Sequence, residues 1–392
     1  MSLSNGRAYL AIPGPSVMPD AVLQAMHTAS PNIYEGVLHD MTDSLIPDLK
    51  AIAMTQANVA IYIGNGHAAW EAALANVLSK GDTVLVLATG RFCIGWGEMA
   101  EGLGAKVETI DYGAQSPVDL GQVEEVLAAD TDGRIKAVLM VHVDTSTGVK
   151  NDVAGVRAVM DKVGHPALFM ADCIASLGCD RFEMDAWGVD VMVSACQKGL
   201  MTPAGISFVW FNAKADAARG DRVTTYWDWR PRVNADVYYQ YFDGTAPTHH
   251  IFGLRAALDM IKAEGLEAVF ARHERLAQVV WAAFDRWSAK GPMQLNIADP
   301  VHRSHAVTSV EIGSPNGDRL RNWCEHQCGL TLGIGLGREP ADAYFRIGHM
   351  GHVNAHMIMG VLGTIDAGLK ALDIPHGDGA LEAAAAALAQ RA

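Results

Sequence analysis

The sequence has few cysteines, a deficit of basic residues and no long apolar run. Its 6 cysteines in 392 residues stand in apolar stretches without a repeating spacing. This pattern excludes a disulfide scaffold and indicates buried, reduced thiols. No apolar run approaches the roughly 20 residues that a membrane-spanning helix needs. Lys and Arg number 30 against 44 Asp and Glu, a net charge of −14, which disfavours binding to a nucleic-acid backbone. We therefore expect neither a membrane nor a nucleic acid as a partner.

The compartment and the domain count follow from the same survey. The start of the chain shows no cationic flank followed by an apolar stretch, so we expect a cytoplasmic protein. The chain is 392 residues long and 50% hydrophobic, which is more than one core usually holds. We predict a large domain at 21–255 and a small C-terminal domain at 256–392. An N-terminal segment, 1–20, is expected to pack near the site and a partner subunit.

Short apolar runs alternate with segments of helical periodicity between residues 59 and 212. The runs are 59–66, 82–90, 106–113, 135–144, 167–176, 189–198 and 205–212. Most are continuous and rich in Val and Ile, which is typical of strands buried on both faces. The alternation predicts an α/β fold with a mostly parallel seven-stranded sheet and helices on both sides. We also expect Asp152 to cap the helix that follows it.

The rest of the chain changes character. Residues 220–250 are aromatic, interrupted by proline and follow neither period. A long helix is predicted from Phe252 onwards, with a break near Gly265. Beyond it, strands and helices alternate again, with Asn354 starting the last long helix. This part is predicted to be a smaller α+β domain.

Polar residues stand at the carboxyl ends of several predicted strands, where open α/β sheets bind their ligands. A Gly-rich turn opens the first helix, a hydroxyl-rich turn follows the fourth strand, an aspartate ends the fifth, and an amide and a lysine end the sixth. In chain order these residues are Asn65, Gly66, His67, Thr145, Asp172, Gln197 and Lys198. Because parallel strands end at one edge of the sheet, we expect these side chains to share one site.

These residue types fit pyridoxal 5'-phosphate. A lysine can hold the cofactor aldehyde covalently, an acidic side chain can keep the pyridine nitrogen protonated, and a glycine-containing helix start can bind the phosphate. Asp172 and Lys198 are separated by one strand–helix–strand step, which places them on nearby strands. A protonated ring accepts the electron pair that remains when the substrate Cα–H bond breaks.

With these residues in view, the sequence resembles the class-V aminotransferases of fold type I, in particular the alanine–glyoxylate and serine–glyoxylate (serine–pyruvate) group. The resemblance extends from 13–16 to 345–351, and its motifs are specific as a set. They read PGPS, GNGHAAWEAALAN, HVDTSTGVK, ADCIASLG, CQKGLMTPAG and FRIGHMG. The resemblance implies a large domain that binds the cofactor, a smaller C-terminal domain and a homodimer with shared active sites.

The resemblance also implies a role for each matching cofactor residue. Lys198 corresponds to the lysine that carries the cofactor, and Gln197 lies beside the phosphate. Asp172 corresponds to the partner of the pyridine nitrogen. The 65–67 segment corresponds to the phosphate-binding helix start. Phe92 falls where relatives stack an aromatic ring on the pyridine.

Further matches concern the cofactor ring, the substrate and the second subunit. Thr145 corresponds to a hydroxyl that reaches the oxygen on the cofactor ring. Arg346 corresponds to the arginine that binds the substrate α-carboxylate. Thr245 falls where a neighbouring subunit supplies a hydroxyl to the phosphate. Tyr34 and Glu35 stand where relatives that act on serine or aspartate often carry a cationic pair. This departure disfavours aspartate as amino donor.

The implied reaction is ping-pong transfer of an amino group from a small amino acid to glyoxylate or pyruvate, with Lys198 as base and acid. A pyridoxamine–pyruvate aminotransferase is the nearest alternative, and a donor screen would separate the two. A fold-type-I lyase such as a cysteine desulfurase is less favoured, because Cys328, the nearest candidate nucleophile, is predicted to be helical.

Other classes of protein function explain fewer of these residues. A nicotinamide-dependent dehydrogenase would leave Lys198 and Asp172 without a role, and GNGHAA lacks the third glycine of its motif. A binding protein that retains the fold without catalysis stays open at this point. No metal is expected, since the His349, His352 and His356 set crosses a strand–helix junction and no Cys or carboxylate joins it.

Overall fold

The computed structural model of the chain describes residues 2–390 as alternating strands and helices. Its strands are β1 (Tyr9–Ala11), β2 (Asn58–Gly64), β3 (Thr83–Ala88), β4 (Lys106–Asp111), β5 (Ile135–Val141), β6 (Val143–Asp144), β7 (Val149–Lys150), β8 (Leu168–Asp172), β9 (Val191–Ala195), β10 (Gly205–Phe211), β11 (Gln294–Leu295), β12 (Val307–Glu311), β13 (Leu330–Ile334) and β14 (Tyr344–Gly348).

The α-helices surround two sheets. They are α1 (Asp20–Met26), α2 (Val37–Ile52), α3 (Gly66–Val77), α4 (Arg91–Gly102), α5 (Leu120–Ala129), α6 (Val153–Val163), α7 (Ala213–Ala217), α8 (Trp229–Val233), α9 (Thr248–Glu264), α10 (Leu266–Trp287), α11 (Asn316–Cys328), α12 (Ala355–Ala371) and α13 (Ala380–Ala389). Short 3-10 turns occupy Tyr238–Tyr241, Pro300–His302 and Ala341–Ala343. Within residues 2–390, no helix combines the length and the apolar character that crossing a membrane requires.

The larger sheet has the strand order β2-β10-β9-β8-β5-β3-β4. The pairs from β9 through β8, β5 and β3 to β4 are parallel, and β10 runs antiparallel to both of its neighbours. Every residue of β3, β8 and β9 is buried, because hydrophobic clusters cover both faces of the sheet. The predicted α/β fold with a mostly parallel seven-stranded sheet is therefore confirmed. The predicted runs extend a few residues past the strands because they include the turns at the sheet edge.

Local sequence signals set several helix ends. The side chain of Asp152 accepts a hydrogen bond from Gly155 N at the start of α6, as predicted from sequence. Asn354 does the same for Met357 N at the start of α12. Gly265 separates α9 from α10 and has φ +89°, a left-handed conformation that a side chain would strain. The predicted break in the long helix lies at this residue.

The smaller sheet has the order β1-β13-β14-β12-β11, and α10 to α13 pack with it around a separate hydrophobic core. The N-terminal strand β1 pairs in parallel with β13, so the first residues of the chain join this sheet. The division of the chain at residues 20 and 255 stays a prediction, and residue 255 lies within α9.

The aromatic segment at 220–250, which the sequence left without a structural assignment, is held by one buried arginine. The Arg232 guanidinium lies over the rings of Tyr62, at 4.3 Å, and Tyr226, at 4.9 Å. It donates hydrogen bonds to the carbonyl oxygens of Ile61, Tyr226 and Tyr241. The irregular segment is thereby fixed against β2, beside the strand end that opens the predicted site.

Candidate active site

The carboxyl ends of β2, β5, β8 and β9 surround a cavity of about 200 Å³. Eight of the residues predicted from sequence line it: Asn65, Gly66, His67, Phe92, Thr145, Asp172, Gln197 and Lys198. Trp70 and Ile174 line it as well, although sequence reasoning assigned neither of them to the site. The cavity lies where parallel strands end, as ligand sites of open α/β sheets do.

Lys198 lies in the turn after β9, and the N-terminal segment packs directly onto it. Its Nζ donates to the carbonyl oxygen of Pro13, and a Cβ at Gly14 would overlap the lysine side chain. Ser16 Oγ donates to the carbonyl oxygen of Lys198 at 2.7 Å. Burial and the charge of Arg346 lower the pKa of Lys198 to about 8. A larger fraction of the amine is therefore unprotonated near neutral pH, as a nucleophile or a general base requires.

Asp172 ends β8, and two N–H groups hold its carboxylate. Trp70 Nε1 donates to Oδ2 at 2.8 Å, and Ile174 N donates to Oδ1 at 2.6 Å. Burial raises the pKa of Asp172 to about 7, and these two donors and the charge of Lys198 oppose the rise. A cation placed against this carboxylate would favour its ionised form.

The start of α3 forms another wall of the cavity. Asn65 Oδ1 accepts from His67 N at 3.1 Å and from Ala68 N at 3.3 Å, so this oxygen caps the helix. Gly66 packs so closely on Ile174 that a Cβ there would collide with its side chain. The His67 ring packs on Trp70, with the ring centroids 4.4 Å apart. Burial and the charge of Arg91 lower the pKa of His67.

Gln197 carries a polar atom that the fold does not use. Its Oε1 is buried and has no hydrogen-bond partner among residues 2–390. The two ends of the amide exchange places by a half-turn of the side chain, so either a donor or an acceptor can be offered here. A buried polar group without a partner is costly, which is consistent with a bound molecule completing its bonding.

The fully buried Asp144 connects two further walls of the cavity, the start of α4 and the β6–β7 hairpin. Its Oδ2 accepts from Phe92 N at 2.9 Å, at the start of α4. Its Oδ1 accepts from Ser146 N at 2.9 Å and Ser146 Oγ at 2.6 Å. The half-buried Phe92 ring meets the edge of Trp70 at 6.3 Å. This carboxylate thus fixes Phe92 relative to the β6–β7 hairpin that carries Thr145.

Arg346 reaches the site from β14 of the smaller sheet. Its Nη1 donates to the carbonyl oxygen of Thr145 at 2.8 Å, and its Nε to that of Ile334 at 2.6 Å. The residue is 6% exposed, and burial lowers its pKa to about 10. Neither of these bonds is to a carboxylate. Within residues 2–390 its Nη2 forms no hydrogen bond and the residue forms no ion pair, so this buried guanidinium is suited to a carboxylate from a ligand.

Four predicted residues do not line this cavity: Arg346, which borders it through Thr145, and three residues at the protein surface. Thr245 and Glu35 are exposed, and Tyr34 is 85% exposed. These three surface residues are expected to contribute to the site of a partner subunit, and that expectation stays a prediction.

The alternative site residues lie elsewhere. Cys328 lines a different cavity, together with Arg7 and Tyr9, so the nucleophile that the lyase hypothesis named does not line the cavity of Lys198. His349 is buried and bonded to Thr308 Oγ1 and the carbonyl oxygen of His305. No group of His, Cys, Asp or Glu side chains within 2–390 is arranged to hold a metal ion.

Comparisons with known proteins agree on a family. The model of the aminotransferase class-V family matches residues 8–341. The chain is 37% identical to the serine–glyoxylate aminotransferase of Hyphomicrobium methylovorum, over 92% of this chain and 89% of that protein. It is 35% identical to the L-aspartate–glyoxylate aminotransferase of Paracoccus denitrificans, over 93% and 91%. The fold is similar to that of pyridoxamine–pyruvate aminotransferase from Mesorhizobium loti, with a TM-score of 0.89 over 99% of both chains at 22% identity.

Proposed function

This chain belongs to the class-V aminotransferases, and from that premise we propose that it moves an amino group from a small amino acid to glyoxylate or pyruvate. We propose pyridoxal 5'-phosphate as its cofactor. The observation that carries this proposal is one cavity that contains Lys198 with a lowered pKa, Asp172 as a buried carboxylate and, at its border, Arg346, which pairs with no carboxylate within residues 2–390.

The residues of the cavity fit this cofactor. Asp172 offers a carboxylate for a pyridinium N–H, and Lys198 offers an amine for an aldehyde. The N-terminus of α3 and the unused amide atom of Gln197 offer polar groups for a phosphate, and helix N-termini favour anions. Phe92 and His67 supply ring surfaces on the wall. Gly66 adds no side chain at the helix start, where a Cβ would collide with Ile174.

The bound cofactor would supply an electron-accepting ring, and the chain would supply the rest of the chemistry. Asp172 would keep the ring nitrogen protonated. Lys198 would hold the aldehyde, and its amine would move a proton to and from the substrate Cα. Arg346 would bind the α-carboxylate and so orient the substrate, which is a contribution from alignment.

The identity of the donor separates the competing versions of this proposal. The relatives are named for serine and for aspartate as donors, whereas Tyr34 and Glu35 disfavour a second acidic group. We expect alanine or serine to be turned over at least about tenfold faster than aspartate, since an unpaired buried charge costs several kcal/mol. A matrix of alanine, serine, aspartate and pyridoxamine against glyoxylate and pyruvate measures this. Strong turnover of aspartate contradicts the argument from Tyr34 and Glu35, and turnover of pyridoxamine alone favours the alternative enzyme.

We further propose a homodimer in which each subunit completes the partner's site. Tyr34 and Tyr239 are 85% and 58% exposed, on segments joined by the stacked rings of His39 and Tyr238, 3.8 Å apart. Large exposed apolar groups of this kind are typical of an interface. Thr245 lies on the same stretch of chain. The free cysteines fit a cytoplasmic location, which we also propose.

Hybrid dimers test the shared site. Thr245→Asp places a negative charge opposite the partner's phosphate and should disable that site. Co-expression of Thr245→Asp with Lys198→Ala should restore about a quarter of wild-type activity, because half of the randomly paired dimers contain one native site. Co-expression of Lys198→Ala with Asp172→Asn is the matched control and should restore none, since both residues serve the same subunit's site. Equal recovery in both mixtures, or none in either, argues against shared sites.

A further inference from the structure

One buried carboxylate outside the site joins the two sheets. Asp180 follows β8 on the side of the larger sheet and is 1% exposed. It accepts hydrogen bonds from Ser304 Oγ at 3.0 Å and from His305 N at 3.1 Å. His305 Nδ1 lies 3.1 Å from the same carboxylate. All three donors belong to the segment that leads into β12 of the smaller sheet.

The charge of Asp180 is built into this position. Burial opposes its ionisation, but the nearby His305, Lys150 and His142 outweigh burial and hold its pKa below the usual range. Lys150 Nζ is 3.8 Å from the carboxylate. An ionised carboxylate has two acceptor oxygens, which can satisfy several converging donors at once. The amide side chain of asparagine has the same shape but only one acceptor oxygen.

From Asp180 the contacts lead directly to Arg346. The strand that follows residues 304 and 305 is β12, in which Ser309 pairs with Arg346 on β14. His349, at the end of β14, bonds to the carbonyl oxygen of His305 at 2.8 Å and to Thr308 Oγ1 at 2.9 Å. The position of residues 304 and 305 therefore sets the position of the strand pair that carries the arginine.

The same segment also contacts the β6–β7 hairpin. Ser304 N donates to the carbonyl oxygen of Gly148 at 3.3 Å, and Asn296 Nδ2 donates to that of Thr147 at 2.8 Å. Thr145, on this hairpin, lines the site cavity and accepts from Arg346 Nη1. Asp180 is thus positioned to hold the two sides of the site, Thr145 and Arg346, in register.

We propose that Asp180 is a positioning residue that fixes the strand pair β12–β14 to the larger sheet and thereby places Arg346 for the substrate carboxylate. The attachment of the strand pair follows from the contacts described above. The effect on substrate binding rests on the proposed function. Asp180 also lines a cavity of about 490 Å³, together with Asp152, Trp187 and residues of α10.

Asp180→Asn and Asp130→Asn form a matched pair of variants. Asp130 is also buried, with its Oδ2 3.1 Å from His165 Nε2 and 2.8 Å from Ile135 N. These two partners, and Arg134, whose Nε lies 3.1 Å from Asp130 Oδ1, belong to the larger sheet and its connections. Loss of either carboxylate should lower the thermal midpoint, so stability alone does not distinguish the two roles.

Two measurements on the cofactor-loaded protein do distinguish them. Hydrogen exchange of amides in 305–311 and 345–348 should become several-fold faster in Asp180→Asn and stay unchanged in Asp130→Asn. The KM for the amino donor should rise about tenfold in Asp180→Asn alone, with a smaller change in kcat and an unaltered cofactor spectrum, because a displaced arginine weakens carboxylate binding. Ser304→Ala, which removes one donor only, should shift both readouts in the same direction by less, and it serves if Asp180→Asn does not fold.

The outcomes separate this inference from the proposed function. If the wild-type protein turns over no amino donor, the proposed function fails, and the exchange rates still decide whether Asp180 holds the strand pair. If turnover is normal and the two variants show the same exchange pattern and the same KM, the positioning role is overturned.

Discussion

Lys198→Ala is expected to abolish both the bound cofactor's visible colour and the transaminase activity. The amine of Lys198 is the group in the cavity that can hold an aldehyde covalently, and its lowered pKa, about 8, suits it to carry the proton as well. Loss of a nucleophile that also serves as general base should lower kcat by about 10⁴-fold or more. Turnover assays and the visible spectrum before and after borohydride measure both effects. In the wild-type protein, mass spectrometry should locate the reduced cofactor on Lys198.

Lys214 provides the matched control lysine. Its Nζ donates to the carbonyl oxygen of Ala167 at 2.8 Å and to Asp190 at 3.0 Å, near the amino ends of β8 and β9 and thus at the opposite edge of the sheet. Lys214→Ala should retain colour and turnover. A coloured, active Lys198→Ala protein, or a tether found on another residue, would refute the assignment. A colourless variant whose activity returns with a small added amine would support a proton-transfer role.

The larger sheet was predictable because it is buried on both faces. Continuous Val- and Ile-rich runs mark such strands, and all seven appear where the runs predicted them. The same logic located eight cavity residues, because parallel strands deliver their carboxyl ends to one edge. The antiparallel direction of β10 was not specified, since a buried run reads the same in either direction and only its pairing with β2 and β9 decides it.

The contacts that orient the site residues could not be predicted from the sequence. Trp70 lies within an apolar stretch of α3 and reads as core, yet its Nε1 donates to Asp172. Asp180 reads as an ordinary turn aspartate, and its partners lie 124 and 125 residues away along the chain. Arg232 stands in a segment with no period. Each of these roles depends on a long-range contact, which leaves no local pattern in the sequence.

Asp172→Asn is expected to lower kcat by about 10²–10³-fold while the cofactor remains bound. The carboxylate stabilises a protonated ring nitrogen, and that positive charge is what draws the electron pair from the breaking Cα–H bond. A neutral amide cannot favour the protonated ring, and removing one preorganised electrostatic partner of the transition state typically costs this much. Because Lys198 and the groups around the phosphate are unchanged, the borohydride-sensitive colour should persist, in contrast to Lys198→Ala.

Two further variants show that the loss comes from charge at this position. Asp190 is also a buried carboxylate, 4% exposed, but it precedes β9 at the far edge of the sheet, so Asp190→Asn should leave kcat unchanged in folded protein. Trp70→Phe removes one of the two N–H donors that hold the Asp172 carboxylate and should cause a smaller loss, since burial then opposes its ionisation more strongly. Raising the pKa of Asp172 in this way should also move the acidic limb of the pH–kcat profile upward. An Asp172→Asn enzyme with near-normal kcat would show that the ring nitrogen needs no anionic partner, and the proposed chemistry of the cavity would then be wrong.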